Sequence, residues 1–214
     1  MAAAFIDSAL TPASALAGEA PVRKRPKPGE RREQILQCLA GMLEQSGAER
    51  ITTAALAQRL QVSEAALYRH FASKAQMFEA LIDFIEQSMF GMINQIAQQQ
   101  ESGLAQCMRI VQALLGFADK NPGLCRVMVG DALVGEHPRL QARMNQFFER
   151  VEAALRQSLK LAVEQGAVAA GFDPAQRAHL LVSYAAGCLF RWARSSMASQ
   201  PVGGTEGVTL ILFA

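Results

Sequence analysis

Apolar residues recur every three to four positions along most of this chain and predict a succession of helices. Ile35, Leu39 and Leu43 mark a first helix from about Glu30 to Gln45, ended by Gly47. A second begins after a Thr52 cap and ends near Leu60, with Ile51 and Leu56 placed to clasp its entry. A third begins at Ser63, where Val62 and Leu67 repeat that arrangement. Ser73 and Gln76 form a capping box for a long fourth helix. Its stripe of Met77, Leu81, Ile85, Met89, Met92 and Ile96 carries it to about Gln99. A fifth pattern, Leu104 to Asp119, is broken by Asn121-Pro122-Gly123, and a short apolar segment follows from Leu124 to Val134.

Pro138 suits the first position of a long helix with Leu140, Met144, Phe147, Val151 and Leu155 inward. Its outer face, with Arg143, Glu149, Arg150, Glu152 and Arg156, reads as solvated, Glu152 pairing with Arg156. Gly166 to Gly171 is a loop, and Asp173-Pro174 opens a helix to about Ser196. After a second break from Gln200 to Gly204, Val208 to Phe213 is a short apolar end. No stretch alternates as a half-buried strand would, and no segment repeats. The expected fold class is all-α. Residues 1–28 are expected to be a disordered basic tail, 29–74 a three-helix domain, and 75–214 a larger helical domain.

Composition supports helices and a sizeable core: half of the 214 residues are apolar. A net charge of +2 alone does not suggest nucleic acid. Its distribution does: Arg23, Lys24, Arg25, Lys27, Arg31 and Arg32 face only Glu30. Such a segment suits a polyanion, although a solvated tail would have the same composition. Cys38, Cys107, Cys125 and Cys188 are too scattered for a zinc site or a disulfide framework and read as buried free thiols in a reducing cytoplasm. The N-terminal stretch lacks the pattern of a signal peptide, and no apolar run approaches the ~20 residues of a membrane span. No Gly-rich phosphate loop, metal spacing or nucleophile–histidine set points to catalysis. His70, His137 and His179 lie far apart, and no cofactor or metal is expected.

The segment ITTAALAQRLQVSEAALYRHFASK, Ile51 to Lys74, has the chemistry of a helix-turn-helix. Ser63 caps the second helix of the pair. Ala65 and Ala66 allow it close to the bases, where their methyls can meet thymine methyls. Glu64 can accept from a cytosine amine or favour the positive helix end. Tyr68, Arg69 and His70 lie within reach of phosphates or base edges. Thr52 and Thr53 begin the helix that crosses the backbone, and Lys74 can pair with a phosphate as a point charge. Taken singly, Thr52 and Ser63 could be caps only, and Tyr68 and His70 could only seal the core with Phe71. The joint spacing is more specific.

This constellation resembles the TetR family of transcriptional regulators over about residues 30–80, and the helical pattern to the C-terminus agrees. The resemblance implies a homodimer that presents two recognition helices to a palindromic site on double-stranded DNA. It also implies that Thr52, Thr53, Ser63, Ala65, Tyr68, Arg69, His70 and Lys74 are DNA contacts. RREQILQCLAGMLEQS, KNPGL and RMNQFFERVEAALRQ, with the helix-turn-helix segment extended to Glu86, resemble the family's nucleoid-occlusion factors. That closer resemblance implies a cytoplasmic, nucleoid-associated protein which, bound to chromosomal sites, engages the C-terminal tail of the tubulin-like division protein FtsZ and blocks ring assembly. Phe84, Gly116, Lys120 and Asn121 would border the groove for that tail. The chain departs from the pattern at Gln61, where glycine is common, at Met92 and Ala113 beside the groove, and over its last fourteen residues.

The rival reading keeps the fold and changes the function: a repressor released by a small molecule held among Phe117, Met128, Phe147, Phe148, Tyr184 and Trp192. Those residues at helical spacing also suit plain core.

Overall fold

The computed structural model describes residues 29–45, 50–100, 102–169, 171–195 and 205–213. The expected tail, its basic run from Arg23 to Lys27, the Gly47 stop and the break at Gln200–Gly204 lie outside the described residues. Among those described, every regular element is helical: α1 (Glu30–Gln45), α2 (Thr53–Arg59), α3 (Glu64–Tyr68), α4 (Lys74–Gln99), α5 (Gly103–Lys120), α6 (Pro122–Met128), α7 (Pro138–Glu164), α8 (Pro174–Arg194) and α9 (Thr205–Phe213). One 3-10 turn, Asp131–Leu133, lies between α6 and α7.

The caps follow the sequence. Thr52, Ser63, Ser73 and Ser102 each accept a hydrogen bond from an amide in the first turn of the following helix. Asp173 accepts from two, Ala175 and Gln176. Such a cap stabilises a helix by about 1 kcal/mol. The expected box at α4 closes differently: Ser73 Oγ accepts from the Gln76 amide, but the Gln76 side chain accepts from Ala72, one residue before the cap. Gln61 in the turn before α3 has φ +55°. A side chain in this left-handed region costs about 1 kcal/mol.

The core is continuous from α1 to α9. Leu140, Met144, Phe147, Val151 and Leu155 of α7 are all buried as their spacing predicts, each contributing about 1.5–3 kcal/mol. Two amphipathic patterns need correction. On α4, Ile93 takes the inward position, while Met92 and Ile96 turn partly outward. On α7, the expected outer face is not uniformly solvated. Arg143 pairs with Asp83 and Glu86 of α4, and Arg150 stacks on Phe90 at 3.8 Å. Hydrogen bonding to Glu86 is the main reason the Arg143 guanidinium holds its proton more tightly than usual. Glu152 faces His179 of α8 at 3.2 Å, not Arg156. The spacing within α7 is a property of one helix, and α4 and α8 supply partners that it cannot reveal.

Backbones meet at two glycines. A Cβ on Gly103 would overlap the Ser158 carbonyl of α7, and one on Gly123 would overlap the Ala40 carbonyl of α1. Next to the first contact, Gln106 and Ser158 are polar residues buried in the core. They bond each other at 2.8 Å, and Gln106 also donates to the Gln100 carbonyl at 2.8 Å. At the second contact, Arg126 of α6 donates to the Leu43 carbonyl at 3.3 Å, near the exposed carbonyl end of α1. Helix α6 therefore ties the first helix to the body.

Candidate nucleic-acid interface and the α4–α5 groove

Helices α1 to α3 form a small unit whose buried residues, Ile35, Leu39, Leu56 and Leu67, join Phe71 and Met77 in the common core. Phe71 is further fixed by Arg32, whose guanidinium lies 4.1 Å from the ring and donates to the His70 carbonyl. With its apolar side buried, α3 leaves Ser63, Glu64, Ala65, Tyr68, Arg69 and His70 exposed. Tyr68 is 46% exposed, so it does not seal the core. Ala66 is half-buried, and its amide donates to the Ser63 hydroxyl. Thr53 Oγ1 donates to Glu64 at 2.6 Å, which ties the first turn of α2 to the first turn of α3. Thr52 is exposed beside it while capping α2.

Lys74 stands apart from this face. Its side chain is 18% exposed, and the ammonium pairs with Glu136, in the segment between the 3-10 turn and α7. Arg50 reaches the same carboxylate at 3.1 Å.

The second set converges on a groove of about 450 Å³ between α4 and α5. Phe84, Gly116, Lys120 and Asn121 all line it. The rings of Phe84 and Phe117 lie 6.2 Å apart and, with Met92, Ile96 and Ala113, provide its apolar surface. Among the described residues, Lys120 and Arg109 are its charged groups, and no carboxylate lines it. Asn121 also donates from Nδ2 to the Phe117 carbonyl at 2.7 Å, closing the end of α5. Sequence reasoning missed Arg109, Ser88 and the amides Gln95, Gln99 and Gln112. Their signal was a second helical stripe beside the core stripe: 109, 112, 113, 116 and 120 on α5.

Of the six residues weighed for a small-molecule pocket, Phe117 lines this groove. Met128, Phe147 and Trp192 are buried core, and Phe147 packs edge-on against Phe90 and Phe148. Cys107, Cys125 and Cys188 are buried, while Cys38 is only half-buried. Burial pushes the thiols of Cys107 and Cys125 up to about 12, which removes nucleophilic thiolate at neutral pH. Among the described residues, no helix is long and apolar enough to cross a membrane, and no cluster of His, Cys, Asp or Glu is placed to hold a metal ion.

A capped helix-turn-helix fixed to a larger helical body defines a DNA-binding regulator. The family model for bacterial regulatory proteins of the tetR family matches residues 35–81, and the SlmA-like model, a tetracyclin repressor-like C-terminal domain, matches residues 101–209. The chain is 50% identical to the nucleoid occlusion factor SlmA of Idiomarina loihiensis over 80% of its own length and 87% of that protein. Against SlmA of Alteromonas mediterranea the identity is 47%, over 82% and 90%. The chain belongs to the TetR family, in its SlmA branch. Its fold matches the MbdR regulator of Azoarcus sp. CIB with a TM-score of 0.71, 17% identity and coverage of 84% and 96%. It matches the fatty acid degradation regulator FadR of Bacillus halodurans at 0.68, with 15% identity and coverage of 88% and 97%. These relatives are regulators, not enzymes.

Proposed function

We propose that this protein is a nucleoid-occlusion factor: a homodimer that binds palindromic chromosomal sites and, from there, captures the C-terminal tail of FtsZ in the α4–α5 groove and blocks ring assembly. In this reading residues 29–74 bind DNA and residues 75–214 form the regulatory and dimerising body. Thr52, Thr53, Ser63, Tyr68, Arg69 and His70 contact the backbone or base edges, Ala65 and Ala66 allow close approach, and Glu64 positions Thr53. Lys74 meets a phosphate once it leaves Glu136. Leu180 and Phe190 of α8 and Leu210 and Phe213 of α9 are exposed apolar residues that a second copy would cover.

The observation that carries the reading is the groove. Four residues drawn from two helices and the break after them line one cavity, and its only charged groups among the described residues are cations. An apolar peptide with acidic residues fits that chemistry. The route between the two sites is physical. Helix α4 begins at the DNA-binding unit and forms one wall of the groove, while Asn121 at the groove's end leads into α6, which packs on α1. Many DNA-bound copies would add avidity for a polymer that displays many tails.

The deciding measurement is fluorescence polarisation of a labelled FtsZ C-terminal peptide against the full chain, with and without a palindromic duplex selected from genomic DNA. Saturable binding that Lys120→Glu abolishes while DNA binding persists supports the reading. Specific DNA binding with no affinity for the peptide would leave a transcriptional repressor.

A further inference from the structure

Two cations of the DNA-binding unit converge on one carboxylate of the body. Glu136 Oε1 accepts from Lys74 at the start of α4 and from Arg50 before α2. The Glu136 side chain is only 6% exposed, so its charge is withdrawn from water and depends on these partners. Arg50 is additionally held by the Gly135 carbonyl at 2.7 Å and is itself largely exposed. Lys74 is held more loosely: its one ion pair among the described residues is with Glu136, and its ammonium lies 5.6 Å from the Phe78 ring. Lys74 follows Arg69 and His70 by five and four residues, across the turn that separates α3 from α4.

We propose that Glu136 is an internal stand-in for phosphate: in the DNA-free protein its carboxylate occupies Lys74, and a backbone phosphate takes Lys74 from it on binding. The inference rests on the DNA-binding reading above and adds two consequences. First, random DNA, with no base contacts to offset a broken ion pair, leaves Lys74 on Glu136 and binds with one phosphate contact fewer, which lowers non-specific affinity. Discrimination then rises, because a specific site compensates through base contacts that random DNA lacks. Second, release of Lys74 leaves Glu136 tethered by Arg50 alone. Glu136 immediately precedes His137, the cap of α7, so the exchange changes the restraint on the body where α7 begins.

The salt dependence of DNA binding tests this, because each phosphate newly contacted steepens the slope of log K against log salt by about 0.9. The full chain, Glu136→Gln and Lys74→Gln/Glu136→Gln would be titrated with a random 30-base-pair duplex and with the selected palindrome. In Glu136→Gln, affinity for random DNA should rise several-fold at low salt, and the slope should steepen by about one per phosphate gained. Affinity for the palindrome should rise less. The double variant should lose the added slope. A thermal melt separates this from misfolding: the near-isosteric glutamine can still accept from Arg50. A Glu136→Gln slope equal to that of the wild type, or a uniform loss of affinity, overturns the stand-in role alone. Wild-type protein with no salt-dependent DNA binding overturns both this inference and the reading beneath it.

Discussion

Thr53 and Glu64 join the two helices of the helix-turn-helix through a single short hydrogen bond, hydroxyl to carboxylate, at 2.6 Å. The bond fixes the register of α2 against α3, and Thr53 must release it before its hydroxyl can donate to a phosphate. The bond also leaves a negative charge on the exposed side of α3. Glu64→Gln keeps the hydrogen bond and removes the charge. Affinity for random DNA should rise two- to five-fold at low salt, with stability changed by less than about 0.5 kcal/mol, as for other exposed sites. Electrophoretic mobility shift and thermal melts check both numbers. A loss of affinity would place Glu64 on a base instead.

Tyr68 and Thr52 separate contact from scaffolding. Tyr68 is exposed and, among the described residues, bonded to nothing that the helices need, so Tyr68→Ala should lower DNA affinity at least ten-fold with an unchanged melting temperature. Thr52 caps α2, so Thr52→Ala should lower affinity and also cost about 1 kcal/mol of stability. Comparing melting with binding for both variants distinguishes the roles. Wild-type affinity in Tyr68→Ala would move the DNA contact off α3.

At the groove, the two residues beside the α5–α6 break should behave differently. Lys120→Glu reverses a charge on an exposed side chain and should weaken an acidic peptide by ten-fold or more while sparing stability and DNA binding. Asn121→Ala removes the hydrogen bond to the Phe117 carbonyl and should cost about 1 kcal/mol in stability as well as peptide affinity. Peptide polarisation beside urea denaturation measures this split. Equal stability losses in the two variants would contradict it.

Gly123 and Gly91 give opposite outcomes for the same substitution. Gly123→Ala must push α6 away from the α1 backbone and should destabilise by more than about 2 kcal/mol, as overpacking between rigid backbones does. Gly91 sits exposed within α4 with nothing near its missing side chain, so Gly91→Ala should stabilise by about 1 kcal/mol. Thermal or urea melts of the two variants provide the comparison.

Much of this architecture was legible in the chain, because caps and apolar spacing are local signals. Thr52, Ser63, Ser73 and Asp173 announce the starts of their helices, and the α7 stripe is buried position for position. What failed depended on neighbours. Arg143 looked like a solvent-facing residue until α4 brought Asp83 and Glu86 to it. Met92 and Ile96 continued a core stripe by spacing, yet α4 outruns the core and offers them to the groove. Glu136 carried no signal at all: an isolated acid in a Gly-Glu-His turn becomes conspicuous only when Arg50 and Lys74, distant in sequence, close on it. The left-handed Gln61 was foreseeable from turn geometry, because the chain must reverse between α2 and a capped α3.

The contact between α6 and α1 limits how freely this regulator can be rearranged. Arg126 holds the Leu43 carbonyl, and Gly123 lies against Ala40. A graft that moved only the first seventy-four residues onto another regulator's body would leave α1 without the helix that covers it. Chimeras with altered operator preference should therefore transplant the Asn121–Met128 segment along with the DNA-reading end, or exchange only the exposed side chains of α3 and leave the backbone junction whole.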